Sequence, residues 1–159
     1  MPDVEWNEVC EAFSPKEVGD LPDAWVEGGS VADWQAVFDL VSAGTLRWEY
    51  REAGRPVESL PAAAELFTSS QRMLDASLQV WLTEELHVIF WFLETGQVNF
   101  DVNVAAVRDQ GQLDALCAWL RTLGQQLRKP VIMAEEGAPS MVMLTYDVAS
   151  DRVVVGAMC

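Results

Sequence analysis

The sequence predicts an α+β fold: a single domain with a mostly antiparallel sheet, a central meander in that sheet, and helices packed on one of its faces. Three observations predict it. Residues Ser77 to Val104 read as three strands joined by two short turns; two stretches repeat apolar residues at helical spacing; and the last thirty residues return to strand pattern.

Residues 1–29 combine Trp6, Phe13, Leu21, Trp25 and Val26 with Pro2, Pro15, Pro22, Gly19 and the Gly28-Gly29 pair. These breakers predict a short helix or strand near Val4 to Phe13 and then an ordered loop, so 1–29 is expected to be an acidic irregular segment packed on the domain. Ser30 with Asp33 is a capping signal, and Val31, Trp34, Val37, Phe38 and Val41 follow at helical spacing as far as Gly44, predicting a helix over Val31 to Ala43. In TLRWEYRE, Leu46, Trp48 and Tyr50 alternate with Arg47, Glu49 and Arg51, a half-exposed strand ended by Ala53 to Pro56. Ser59, Pro61 and the helix formers from Ala62 to Leu74 predict a second helix.

The meander begins with Leu78, Val80 and Leu82 and turns at Thr83-Glu84-Glu85. Leu86 to Leu93, LHVIFWFL, is apolar almost throughout, which predicts a central strand covered on both faces. Glu94 to Gln97 makes the next turn, with Gly96 free to take positive φ. Val98, Phe100, Val102 and Val104 then alternate with Gln97, Asn99, Asp101 and Asn103, one face packed and the other meeting water or a partner. Asp109 and Gln112 cap a helix whose Leu113, Leu116, Leu120, Leu123 and Leu127 form a stripe for packing across the sheet; Arg128 and Lys129 suit its last turn, and Pro130 closes it. Val131 to Ala134, Met141 to Val148 and Arg152 to Val155 are strands, the last two a hairpin turned at Ala149-Ser150-Asp151.

The 159 residues suit one domain, 1–159, and seven Trp, six Phe and two Tyr supply a core. No apolar run reaches the roughly 18 to 20 residues of a bilayer span, and MPDVEWNEVCEAF lacks the basic and apolar regions of a signal peptide, so a cytoplasmic protein without membrane association is expected. Cys10, Cys117 and Cys159 are odd in number and widely spaced, which indicates free or buried thiols. Ten basic residues against 25 acidic ones give a net charge of −15, a field that repels nucleic acid and attracts basic surfaces.

Chemistry-bearing patterns are sparse. His87, the single histidine, lies in the most apolar strand with no relay partner placed by sequence, so a structural role is expected. No metal-ligand spacing, phosphate-binding glycine loop or nucleophile elbow occurs, and no catalytic, cofactor-binding or metal residue is assigned. Two carboxylate pairs, Glu84-Glu85 and Glu135-Glu136, fall where turns carry solvated charge. A surface for a basic partner is the remaining candidate: Glu84, Glu85, Glu94, Asp101, Glu135, Glu136 and Trp25 are its expected contacts.

The order of elements around TLRWEYREAG and LQVWLTEELHVIFWFLETGQVNF, over Val31 to Val104, resembles the immunity proteins of bacterial polymorphic-toxin systems, in layout those paired with deaminase-type toxins. The resemblance implies a non-enzymatic inhibitor that binds a cognate secreted toxin domain with a basic surface, one acting on nucleic acid or nucleotides, and often covers its active site. It transfers no contact residue. A free monomer or weak dimer is expected. An acidic secretion chaperone for an effector is the alternative reading, and a small hydrolase using a carboxylate pair is the second alternative.

Overall fold

The computed structural model describes residues 2–13 and 21–156; residues 14–20, expected as an ordered loop, and Cys159 lie outside them. Among the described residues the chain is α+β, with five α-helices and one antiparallel sheet of nine strands in the order β3-β2-β4-β5-β6-β1-β7-β8-β9. The strands are β1 (Asp23–Glu27), β2 (Trp48–Glu52), β3 (Arg55–Val57), β4 (Ala76–Trp81), β5 (His87–Trp91), β6 (Gln97–Val102), β7 (Val131–Glu135), β8 (Ala138–Asp147) and β9 (Arg152–Val155). The helices are α1 (Trp6–Val9), α2 (Val31–Ala43), α3 (Ala63–Leu66), α4 (Ser70–Leu74) and α5 (Gln110–Leu127).

The two long helices begin where their caps predict. Ser30 Oγ accepts from Asp33 N at 3.2 Å, and Asp109 Oδ1 accepts from Gln112 N at 2.9 Å. Each satisfies an N–H that the first turn leaves without a helical partner. All five stripe leucines of α5 are buried. Trp34 of α2 packs its ring 6.2 Å from Phe90 and 5.2 Å from Phe92, and Trp119 of α5 lies 6.1 Å from Phe90. Both helices therefore cover the same face of the sheet.

Several expectations are corrected. The segment 1–29 is not wholly irregular: Asp23-Ala24-Trp25-Val26-Glu27 is β1, inserted between β6 and β7, with Ala24 and Val26 buried and Asp23 and Trp25 half-exposed. Pro22 and Gly28 flank this strand and bound it. LHVIFWFL is not covered on both faces: Val88, Phe90 and Phe92 are buried, whereas Trp91 is 38% exposed and Leu93 65% exposed. Its outward face is apolar without being covered. Gly96 is not at positive φ; Gly28 is, at +67°. The close approach falls on Gly29, whose N–H donates to Gly96 O at 2.8 Å and where an added Cβ would lie 3.1 Å from Thr95 O.

The strand at TLRWEYRE does not stop the sheet at Ala53. Ala53 and Gly54 both have positive φ, the conformation of a type I′ turn, and return the chain as the edge strand β3, where Pro56 is tolerated. The helix expected over Ala62 to Leu74 is split. Thr68 Oγ1 donates to Glu65 O at 2.6 Å, a local bond that competes with helix continuation, and Ser69 Oγ recaps the chain at Arg72 N. Ala63 N–H is satisfied by Gln35 Oε1 of α2 at 2.8 Å, without help from Ser59.

Candidate functional site

Strand pairing fixes what the uncovered face presents. One row of Cα partners crosses the sheet as Ser77, Trp91, Asn99, Trp25 and Ile132, and the next as Gln79, Ile89, Asp101, Asp23 and Ala134. Since side chains alternate across a strand, the first four residues of each row share the face opposite the helices. Trp25, Trp91, Leu93, Asp23, Asp101 and Asn99 line a shallow cleft of about 390 Å³ there, closed at its rim by Glu27, Gln97 and Pro139.

The acids are held by groups on three strands. Asp101 on β6 and Asp23 on β1 are direct cross-strand partners. Trp91 Nε1 on β5 donates to Asp101 Oδ2 at 2.9 Å, and Gly137 N–H, in the turn after β7, donates to Asp23 Oδ2 at 3.3 Å. Burial pushes Asp101 up to about 6, and the neighbouring Asp23 and Glu136 charges push the same way against the indole N–H. Along the rim, Gln97 Nε2 donates to Glu27 Oε1 (3.1 Å) and Asn99 Nδ2 to Gln97 Oε1 (2.8 Å), while Asn99 Oδ1 is shielded from solvent and meets no donor among the described residues.

Of the residues expected at a binding surface, the structure brings Asp101 and Trp25 into this cleft and sets Glu136 beside it. Glu135 closes β7 at the same end of the sheet. Glu84 and Glu85 sit in the β4–β5 turn at that end but farther along it, and Glu85 is ion-paired with Arg108 at 2.6 Å. Glu94 is at the opposite end, where its carbonyl accepts the Trp34 indole N–H at 3.0 Å. Asn103 leaves the polar row: it accepts from His87 N at 2.7 Å and donates to Glu85 O at 2.9 Å, tying the β4–β5 turn to β6.

Sequence reasoning missed Asp23, Trp91 and Leu93. The period-2 pattern of DAWVE carried the signal for Asp23, and its counterpart in HVIFW was concealed because the outward positions are apolar too. His87 has its pKa lowered by burial, against a backbone hydrogen bond at Glu85, and its ring lies 6.1 Å from that of Trp81. Among the described residues no three His, Cys, Asp or Glu side chains converge as metal ligands, and no helix is long and apolar enough to cross a membrane. Comparison of the chain with protein-family models, curated proteins and solved structures gave no match.

Proposed function

We propose that this chain is a non-enzymatic immunity protein, which binds a cognate toxin domain through the open face of its sheet and neutralises it. The observation that carries the reading is the composition of that face: tryptophans and carboxylates side by side on the three adjacent strands β5, β6 and β1, in a chain of net charge −15. Tryptophan is among the residues most enriched in protein-binding hot spots. A toxin that acts on nucleic acid or nucleotides needs a positive cleft, which an acidic cover complements.

The test partner is the product of the reading frame adjacent to this chain's own. Its C-terminal domain, expressed in a bacterial host, is expected to stop growth, and co-expression of this chain to restore it, with a one-to-one complex whose association slows as salt rises. A harmless neighbour, or a toxic one that this chain neither binds nor counteracts, removes the reading.

One observation favours a second reading. Asp101 and Asp23 form an acid pair in a cleft, with Asp101 raised toward neutrality, as a carboxylate-pair hydrolase requires. The pair is different from both pairs adjacent in sequence. Turnover of peptide or glycoside substrates that disappears in Asp101→Asn would favour it.

A further inference from the structure

We infer that the cleft is a receptor for one arginine side chain of a protein partner, its guanidinium held against Trp25 and Trp91 and hydrogen-bonded to Asp101 and Asp23. The inference deepens the binding reading above and rests on it.

The same sheet face already shows this chemistry once. Arg47 places its guanidinium carbon 3.9 Å from the ring centroid of Trp81, a cation–π contact within the molecule. Trp25 and Trp91 have no such contact among the described residues. The acids beside them are likewise unneutralised: the described ion pairs use Asp3, Asp33, Glu49, Glu52, Glu85 and Asp151, and none includes Asp23, Glu27, Asp101 or Glu136.

The spacing suits a flat cation. Trp91 and Trp25 stand on β5 and β1 with β6 between them, so their backbones are roughly 10 Å apart at ordinary strand spacing, with Asn99 on the floor. A guanidinium is planar, stacks on indole, and carries five donors in a fixed fork, enough to reach both carboxylates together. An ammonium offers no plane to stack.

Occupancy is expected to depend on pH, because a proton on Asp101 competes with the guanidinium. Asp101 pairs with Asp23 on β1 and Ile89 on β5, accepts from the Trp91 indole, and is acted on by the Glu136 charge from the turn after β7. With Asp101 protonating near pH 6, affinity should fall about tenfold between pH 7.5 and pH 5.

The test titrates the full chain with hexa-arginine and hexa-lysine peptides by calorimetry at constant ionic strength. Hexa-arginine is expected to bind at least fivefold tighter than hexa-lysine. Asp101→Asn should weaken it about tenfold and abolish the pH dependence, while Glu84→Gln, which removes one charge outside the cleft, should change it less than twofold. Equal loss in both variants, or equal binding of both peptides, would show diffuse charge attraction and overturn the inference. Growth protection that survives Asp101→Asn and Trp91→Leu undiminished would also overturn it and leave the immunity reading standing; absence of protection by the native chain would remove that reading alone.

Discussion

Gly124 of α5 lies directly beneath the ring of Tyr146 on β8: an added Cβ would sit 2.1 Å from Tyr146 Cδ2 and 2.5 Å from Cε2. The ring has little freedom to retreat. Tyr146 is buried, and its hydroxyl donates to Asp151 Oδ1 at 2.7 Å, a carboxylate also held by Arg121 and Gln125. A glycine inside an eighteen-residue helix, unfavourable for helix propensity by about 1 kcal/mol, is thereby explained by packing.

Gly124→Ala is accordingly expected to destabilise the fold by about 3 kcal/mol, the upper part of the range for overpacking a core, despite the gain in helix propensity. Urea unfolding of the single variant and of Gly124→Ala combined with Tyr146→Leu checks it. The smaller side chain should relieve the clash, so the double variant loses less than the two single losses added together.

Asp101 should make the protein less stable near neutrality than in mild acid. Its pKa is raised from 3.8 in the unfolded chain to about 6, so its contribution is fully present below about pH 4 and is lost as pH rises through 6. Asp101→Asn keeps an acceptor for the Trp91 indole and never ionises. Its melting temperature should match the native protein's near pH 4 and exceed it at pH 7, by the equivalent of about 1–2 kcal/mol after discounting for partial exposure. A constant difference across that range would show that desolvation of Asp101 is not the cause.

Asp3 guards an edge of the sheet. Its Oδ2 accepts from the Val153 N–H of β9 at 2.9 Å, and Arg152 lies 3.9 Å from its other oxygen, so a donor on an edge strand is already taken. Asp3→Ala should cost about 1 kcal/mol and speed amide hydrogen exchange at Val153 severalfold, with self-association through β9, where Val155 is 51% exposed, visible in sedimentation. Unchanged exchange at Val153 would show that the carboxylate is not its protection.

Much of the fold was legible because its signals are local. Ser30 and Asp109 each carry a cap and an apolar period, so α2 emerges with both its boundaries and α5 with its start; α5 ends at Leu127, with Arg128 as a left-handed C-cap at φ +57° and Lys129 beyond it, so neither lies in the expected last turn; β6 alternates cleanly, and Asp151, at φ +52°, turns the predicted C-terminal hairpin. The errors arise where a decision is made at long range. β1 is a strand because β6 and β7 await it on either side; its period-2 pattern spans only five residues between Pro22 and Gly28, too few to settle a strand by themselves. The open side of β5 is hard to read from sequence because the solvent exposure of Trp91 and Leu93 contradicts their hydrophobicity, and such contradictions concentrate where a surface has a second role. The cleft was half visible for the same reason: Asp101 and Trp25 were singled out, but their meeting depends on β1 lying beside β6.

The place of β1 has a consequence for assembly. It is the earliest strand of the nine, yet one neighbour is contributed by Gln97 to Asp101 and the other by Ile132 to Ala134. During synthesis it must therefore wait until most of the polypeptide has emerged, and the loop closures that finally seat it are long ones, which slows folding. Until β1 is seated the meander and the three strands β7 to β9 are two unjoined pieces of sheet, and Asp23 and Asp101 meet only when β1 pairs with β6. The recognition cleft is thus completed by the same event that completes the sheet, so a chain stalled before it has no binding face to offer.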